Sequence, residues 1–235
     1  MKEFLLDNYS VITKSVEFIA AISGTVYIKN NKNSVVKIFV YYLWITFFVE
    51  VIGEYGRLMR NNYDYDWFIA IKNSVFCENM WLYNIYSYVA IGFIGVFYSN
   101  LMLNIFYKNI IRGALVLFSL FTFIFFTVSD AFFLKSLPYD FILGTAVICL
   151  FVILYFIELM KSDEILNYYK LPSFYISIAL LLWYLCVTPL FIFDGYFLEI
   201  NAEFVIFKYL LLLIINICTY LCFAFGFWYS LYKRK

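Results

Sequence analysis

The chain has 235 residues, of which 65% are hydrophobic and only 14% charged, with a mean hydropathy of +0.85 and a formal net charge of +1. Soluble domains average roughly 45–50% apolar and about 25% charged residues, so this composition requires lipid as part of its solvent. So small a net charge supplies no basic face for nucleic acid, and the absence of histidine removes Ser-His-Asp catalysis, His-ligated zinc or haem, and His-based pH sensing.

Seven continuous apolar runs follow one another: Leu6–Ile28, Val35–Arg57, Met80–Leu103, Gly113–Phe132, Phe141–Met160, Ser173–Phe193 and Phe204–Ser230. Each approaches the ~20 residues that cross a ~30 Å hydrocarbon core as a helix. Continuous runs without period-two alternation favour helices over barrel strands. The first run follows the start MKEFLLDNYS, and Lys14 and Glu17 interrupt what would be a signal-peptide core, so a retained first span is expected. No lipidation motif is evident at either end. The connections are short except for Leu58–Asn79, whose NNYDYDWF stretch suits a short interfacial helix. The charge-rich segments Lys29–Lys37 and Lys161–Pro172 read as turns between helices. The expectation is an all-α polytopic membrane bundle of seven transmembrane helices, one domain over residues 1–235.

Lys and Arg set the expected orientation. Lys29, Lys32, Lys37, Lys108, Arg112, Lys161, Lys170, Lys233, Arg234 and Lys235 fall on one side of such a bundle. Lys2, Arg57, Arg60, Lys72 and Lys135 fall on the other, half as many. The sixth loop contributes only the acids Asp194, Glu199 and Glu203. The positive-inside rule then gives an N-out, C-in topology, with a bacterial cytoplasmic (inner) membrane as the expected location.

Ionisable groups inside such spans are costly and point to partners or function. Lys14 and Glu50 lie at matching depth, about 20 Å from the basic side on adjacent helices, and are expected to pair. Glu17 lies slightly deeper and Glu54 one turn higher. Asn84 and Ser87 on the third span, Thr188 before Pro189 on the sixth, and Asn216 on the seventh reach similar heights, with Tyr88 and Lys208 near them. If spans one, two, three and seven are neighbours, Lys14, Glu17, Glu50, Glu54, Asn84, Ser87, Thr188 and Asn216 line a ligand or ion cavity in the outer half. Simple helix–helix hydrogen bonding is the alternative role for the uncharged members. Pro189 is expected to kink its helix unless the freed backbone groups are satisfied. Trp44, Trp81 and Trp183 read as packing or interface anchors. Of Cys77, Cys149, Cys186, Cys218 and Cys222, only Cys77 falls in a loop, so no intrachain disulfide framework is expected. Cys218 and Cys222 share a helix face and are expected to pack in the core.

A retinal protein is disfavoured, because Asn216 occupies the middle of the seventh span and Lys208 lies too near its outer end for the Schiff base. Leu-Trp begins both Leu43–Tyr55 and Leu182–Tyr196, a thin echo of sugar transporters with a three-plus-one-plus-three helix repeat, but the paired Pro-Gln motif is missing. Intramembrane proteolysis lacks both a Ser/His dyad and a Gly-x-Gly-Asp motif. The segments VEVIGEY (Val49–Tyr55), NMWLYNIYS (Asn79–Ser87), LPSFYISIALLLWY (Leu171–Tyr184) and NICTYLCFAFGFW (Asn216–Trp228) carry a different likeness. In these the chain resembles a family of small, largely uncharacterised seven-helix integral membrane proteins of the Bacteroidota type. The resemblance covers most of the chain and implies the seven-span topology. Relatives of that shape look like sensor modules, and no output domain is fused to this chain.

The leading expectation is therefore a receptor or sensor, not an enzyme. It would bind a small ligand or ion in the outer-half cavity and signal to a separate cytoplasmic or membrane partner protein, with the lipid bilayer as its surroundings. No cofactor and no metal are expected. A proton-coupled secondary transporter built on Glu50 and a partner-controlled pore or effector are the alternatives.

Overall fold

The computed structural model describes residues 2–31, 34–61, 63–129, 132–133, 138–197 and 202–233. Lys32, Lys135, Arg234 and Lys235, which enter the charge comparison, and Glu199 of the sixth loop lie outside the described residues. Among those described, the regular structure is helical throughout: α1 (Lys2–Asp7), α2 (Tyr9–Asn30), α3 (Ser34–Gly53), α4 (Tyr55–Leu58), α5 (Asp66–Lys72), α6 (Met80–Leu101), α7 (Ile105–Val128), α8 (Pro138–Lys161), α9 (Pro172–Phe197) and α10 (Ala202–Tyr232). A 3₁₀ segment, Asp163–Lys170, joins α8 to α9. Seven helical stretches are long and apolar enough to cross a membrane: Tyr9–Asn30, Ser34–Leu58, Met80–Leu101, Ile105–Val128, Phe141–Lys161, Pro172–Phe193 and Glu203–Tyr232. The protein is an all-α fold with the character of a membrane bundle.

Six of these spans match the apolar runs to within a few residues; the fourth does not. It starts at Ile105 rather than Gly113 and ends at Val128 rather than Phe132. The charges Lys108 and Arg112 suggest a loop, yet both sit within the first turns of α7. Asn104 caps this helix, its side chain accepting from the Phe106 N–H at 2.8 Å. Glu158 of α8 adds a second cap, accepting from the N–H groups of Leu103 and Asn104 at 2.6 and 3.1 Å. Arg112 reaches back to Ser99 Oγ at 3.3 Å, so its charge is held near the helix end while its stem lies along α6. The long connection between α3 and α6 contains the expected short helix, α5, with Trp67 exposed beside Tyr65. Helix α9 continues through Pro189 rather than breaking there.

Each of the seven spans packs on the next in sequence, and α10 closes the ring on α2. Helix α6 also packs on α8, which pushes α7 outward. Accordingly α7 buries only Ile111, Phe118 and Thr122, while Val116, Leu117, Leu120, Phe123 and Ile124 face outward, the surface that lipid would cover. Spans one, two, three and seven are neighbours, as the cavity expectation required.

The two ends of the bundle are filled differently. At the end bearing the α2–α3 and α6–α7 connections, Tyr27, Phe39, Phe97, Tyr98, Phe151, Phe223 and Phe227 are almost fully buried. Phe39 touches Phe97 and Phe223 with ring centroids 5.3 and 5.1 Å away, and Tyr27 meets Phe227 at 5.7 Å, separations at which rings attract one another. Gly24 lets α2 approach closely here: a Cβ on it would lie 2.7 Å from Val40 Cγ2 and 3.1 Å from Phe227 Cε2. Gly24→Ala is therefore expected to cost about 1–3 kcal/mol through overpacking against a stiff valine and a buried ring. Reversible unfolding in lipid–detergent micelles measures it, and an unchanged stability would refute the tight contact.

Trp side chains tie the spans together. Trp44 donates to Thr25 Oγ1 at 2.9 Å, Trp228 to Ser23 Oγ at 3.0 Å, and Trp81 to Tyr55 Oη at 2.7 Å. All five cysteines are free thiols. Cys222 is half-buried against Tyr175, but Cys218 faces outward rather than into the core, because its position on α10 is turned away from α2 and α9.

Candidate functional site: an acidic cavity between α2, α3, α6 and α10

At the opposite end α2, α3, α6 and α10 enclose a cavity of about 510 Å³. Its wall includes Tyr9, Ser10 and Thr13 of α2, Glu50 and Gly53 of α3, Tyr83 of α6 and Asn216 of α10. Glu54, Arg57, Arg60, Glu78 and Asn79 form its rim. The rim is held by the connection itself: Asn79 Nδ2 donates to Gly53 O at 2.8 Å, occupying a carbonyl at the end of α3, and Tyr55 Oη donates to Glu78 O at 2.8 Å.

Lys14 pairs with Glu54, not with Glu50. Its ammonium donates to Glu54 Oε1, which also accepts from Ser10 Oγ. Lys14 Nζ donates to Ser10 Oγ at 2.8 Å as well, and Arg57 Nε approaches Glu54 Oε2 at 3.3 Å. Matching heights along two helices set the depth of Lys14 and Glu50 alike, but the long lysine side chain extends towards the bundle end, where Glu54 is reached and the charge is hydrated. The Lys14 and Glu54 side chains are 20% and 31% exposed.

Glu50 is left in a different position. It lines the cavity and accepts one long hydrogen bond, from Tyr83 Oη at 3.3 Å. Among the described residues no Lys or Arg comes within ion-pair distance of it. Glu17 lies one helical turn below Thr13 on the same face of α2. It is 2% exposed, with Tyr220 in hydrogen-bonding range but no partner for Oε2. Thr13 is 5% exposed; it neighbours Tyr9, yet its Oγ1 makes no well-formed hydrogen bond.

The remaining sequence candidates divide. Asn216 lines the cavity, with its Oδ1 engaged by Trp183 Nε1 at 2.7 Å. Asn84 does not: its amide donates to Phe132 O at 3.0 Å and lies on a separate, largely apolar groove between α6 and α7. Thr188 is a bridge between helices, its hydroxyl meeting Thr145 Oγ1 at 2.7 Å and donating to Tyr184 O at 2.6 Å. Ser87 is half-buried and Tyr88 lies beside Asn84; neither lines the cavity. Lys208 is buried with its ammonium 5.3 Å from the Phe191 ring centre.

Sequence reading missed Tyr9, Ser10, Thr13, Tyr83, Asn79 and Tyr220. The four-residue spacings Ser10–Lys14, Tyr9–Thr13–Glu17 and Asn216–Tyr220 were the available signal, because such positions share a helix face. The uncharged hydroxyls have no burial cost large enough to draw attention in a span rich in tyrosine.

Fold and site together define a seven-helix membrane bundle with an acidic cavity at one end and an aromatic plug at the other. No family model matches the chain, and neither a curated protein nor a solved structure matches it.

Proposed function

We propose that this protein is a receptor-type membrane protein, oriented N-out in a bacterial cytoplasmic membrane, whose cavity binds a small ligand carrying a positive group. The observation that carries this reading is Glu50, a carboxylate within a membrane span that lines an open cavity and, among the described residues, has no cation within ion-pair distance, Lys14 acting on it only from further away. A carboxylate at that depth is costly without compensation, and a ligand's ammonium group would supply it. Tyr83, Tyr9 and Asn216 offer oriented polar contacts, while Arg57 and Arg60 at the rim suit an anionic substituent on the same molecule. The bias of Lys and Arg towards the plugged end supports a mouth facing outwards.

Ligand binding would act by favouring one arrangement of α2, α3, α6 and α10, and only a difference in affinity between arrangements can shift that balance. The basic connections at the plugged end would then present the change to a separate partner protein. The packed rings at that end support signalling over permeation, because they leave the cavity accessible from one end.

The test is a thermal-shift screen of purified protein against primary amines, polyamines and amino acids, followed by titration of the strongest stabiliser. Glu50→Gln is expected to weaken that ligand about 10–100-fold, the loss of one charge-assisted hydrogen bond. Failure of every cationic compound to stabilise the wild type, or equal affinity in the variant, would sink the reading. Uptake of the same compound into proteoliposomes, abolished by Glu50→Gln, would establish a carrier instead.

A further inference from the structure

At the cavity wall and one turn deeper, two buried side-chain oxygens have no hydrogen-bond partner. Thr13 Oγ1 and Glu17 Oε2 lie one turn apart on the inner face of α2, and neither makes a hydrogen bond. Opposite them on α10, Asn216 and Tyr220 are also one turn apart, and the two helices pack directly. Trp183 holds the Asn216 amide in place, and Tyr220 is itself 8% exposed. Thr13 lines the cavity, and Glu17 lies one turn deeper on the same face of α2. Glu50 sits close enough for its charge to act on Glu17.

This arrangement has an unmet requirement. A water molecule would complete the hydrogen bonds of Thr13 and Glu17 but would leave two neighbouring carboxylates uncompensated in a region where charge is expensive. Lys14 acts on both carboxylates only from beyond ion-pair distance, since Ser10 and Glu54 take its ammonium. A bound cation satisfies both needs at once, as a Lewis acid for the two oxygens and as a counter-charge for the acids. The donors at hand are few: one Glu17 oxygen, the Thr13 hydroxyl and the Tyr220 hydroxyl fall short of the roughly six to eight oxygens that a calcium ion takes.

We propose that Thr13 and Glu17 form the core of a monovalent cation site, of the alkali-metal class, at the floor of the cavity and near the middle of the bundle. Glu50 supplies the second negative charge from above, and the Tyr220 hydroxyl lies within reach as a further oxygen. An ion held there pins α2 to α10 at the level where the cavity ends, so its occupancy sets the floor on which any cavity ligand rests. The site shares the charge of Glu50 with the proposed ligand contact, but its own ligands are Thr13 and Glu17, and it stands or falls without any cavity ligand.

The experiment uses purified full-length protein in nanodiscs, without organic ligand. Melting temperature is recorded in sodium, lithium, potassium and choline chloride at equal ionic strength, at several pH values. Direct binding of radioactive sodium is measured in parallel. A melting temperature raised by at least one alkali ion over choline is expected, with saturable binding near one ion per chain. Glu17→Gln should abolish both effects, and Thr13→Val should weaken apparent affinity roughly tenfold. Equal melting in all four salts together with no saturable sodium binding overturns the proposal. So does stability that follows pH but no alkali ion, which would make Glu17 a proton site only. Alkali stabilisation retained in full by Glu17→Gln overturns the assignment to this floor. Should Glu17→Gln fail to fold, wild-type sodium binding and its weakening in Thr13→Val decide the matter. Failure of the amine screen alone leaves these readouts unaffected, so the two ideas fail separately.

Discussion

Phe39→Ala is expected to lose about 3 kcal/mol of stability, the lower end of the range for truncating a buried ring. Phe39 is fully buried and contacts Tyr42, Phe97 and Phe223, so one ring joins α3 to both α6 and α10. Hydrophobic transfer contributes little between helices that already lie in lipid, because the removed ring would be nearly as comfortable among acyl chains. What is lost is close packing: the neighbours forfeit their contacts with the ring and cannot all collapse into the vacated space. Phe39→Leu should keep most of that packing and lose about 1 kcal/mol. Equilibrium unfolding in mixed micelles measures both. Equal, small losses for alanine and leucine would mean that the aromatic plug is not what holds the spans together.

Glu54→Leu is expected to destabilise the protein by about 3 kcal/mol, the lower end of the range for breaking a buried pair because the side chains are partly hydrated. The cost arises from Lys14, whose ammonium would be left near the bundle end with Ser10 and partial hydration in place of its carboxylate partner. Lys14→Met should cost less, about 1 kcal/mol, since Glu54 keeps Arg57 and sits nearer to water. The double variant Lys14→Met with Glu54→Leu should recover towards wild type, giving a coupling of about 1–3 kcal/mol. The same cycle with Glu50→Leu in place of Glu54→Leu should give a clearly smaller coupling, since Lys14 makes no ion pair with Glu50 and acts on it only from further away. Coupling to Glu50 rather than Glu54 would show that the ion pair forms one turn deeper.

That choice of partner illustrates what could and could not be read along the chain. The rise of a helix converts sequence separation into depth, and by that measure Glu50, at matching depth, was the expected partner of Lys14, with Glu54 one turn higher. Depth says nothing about direction around the axis, which turns by about 100° per residue. Asn84 and Thr188 lie at heights similar to Asn216, yet their helices turn them towards α7 and α8, where they bond to Phe132 and Thr145. Only Asn216 is turned into the cavity. Likewise Lys108 and Arg112 suggested a loop by charge alone, whereas Asn104 and Glu158 start the helix before them. The second cap comes from a residue 54 positions away and has no local signature.

The amino-acid sequence by itself determined the class of structure. Seven apolar runs of spanning length, in a chain too poor in charge for water alone, leave helices as the form that satisfies every backbone group in lipid. It also determined that acids would be carried into the bundle, because Glu17 and Glu50 lie well inside those runs. The tertiary structure alone decided which of them would be compensated. Helix rotation and side-chain reach gave Lys14 to Glu54, left Glu50 lining a cavity, and buried Glu17 one turn below Thr13 with one carboxylate oxygen unpartnered. The physical reason is that lipid selects for apolar length one helix at a time, whereas the azimuth of each helix is chosen by packing against its neighbours. Here close approach at Gly24 and the rings around Phe39 make that choice.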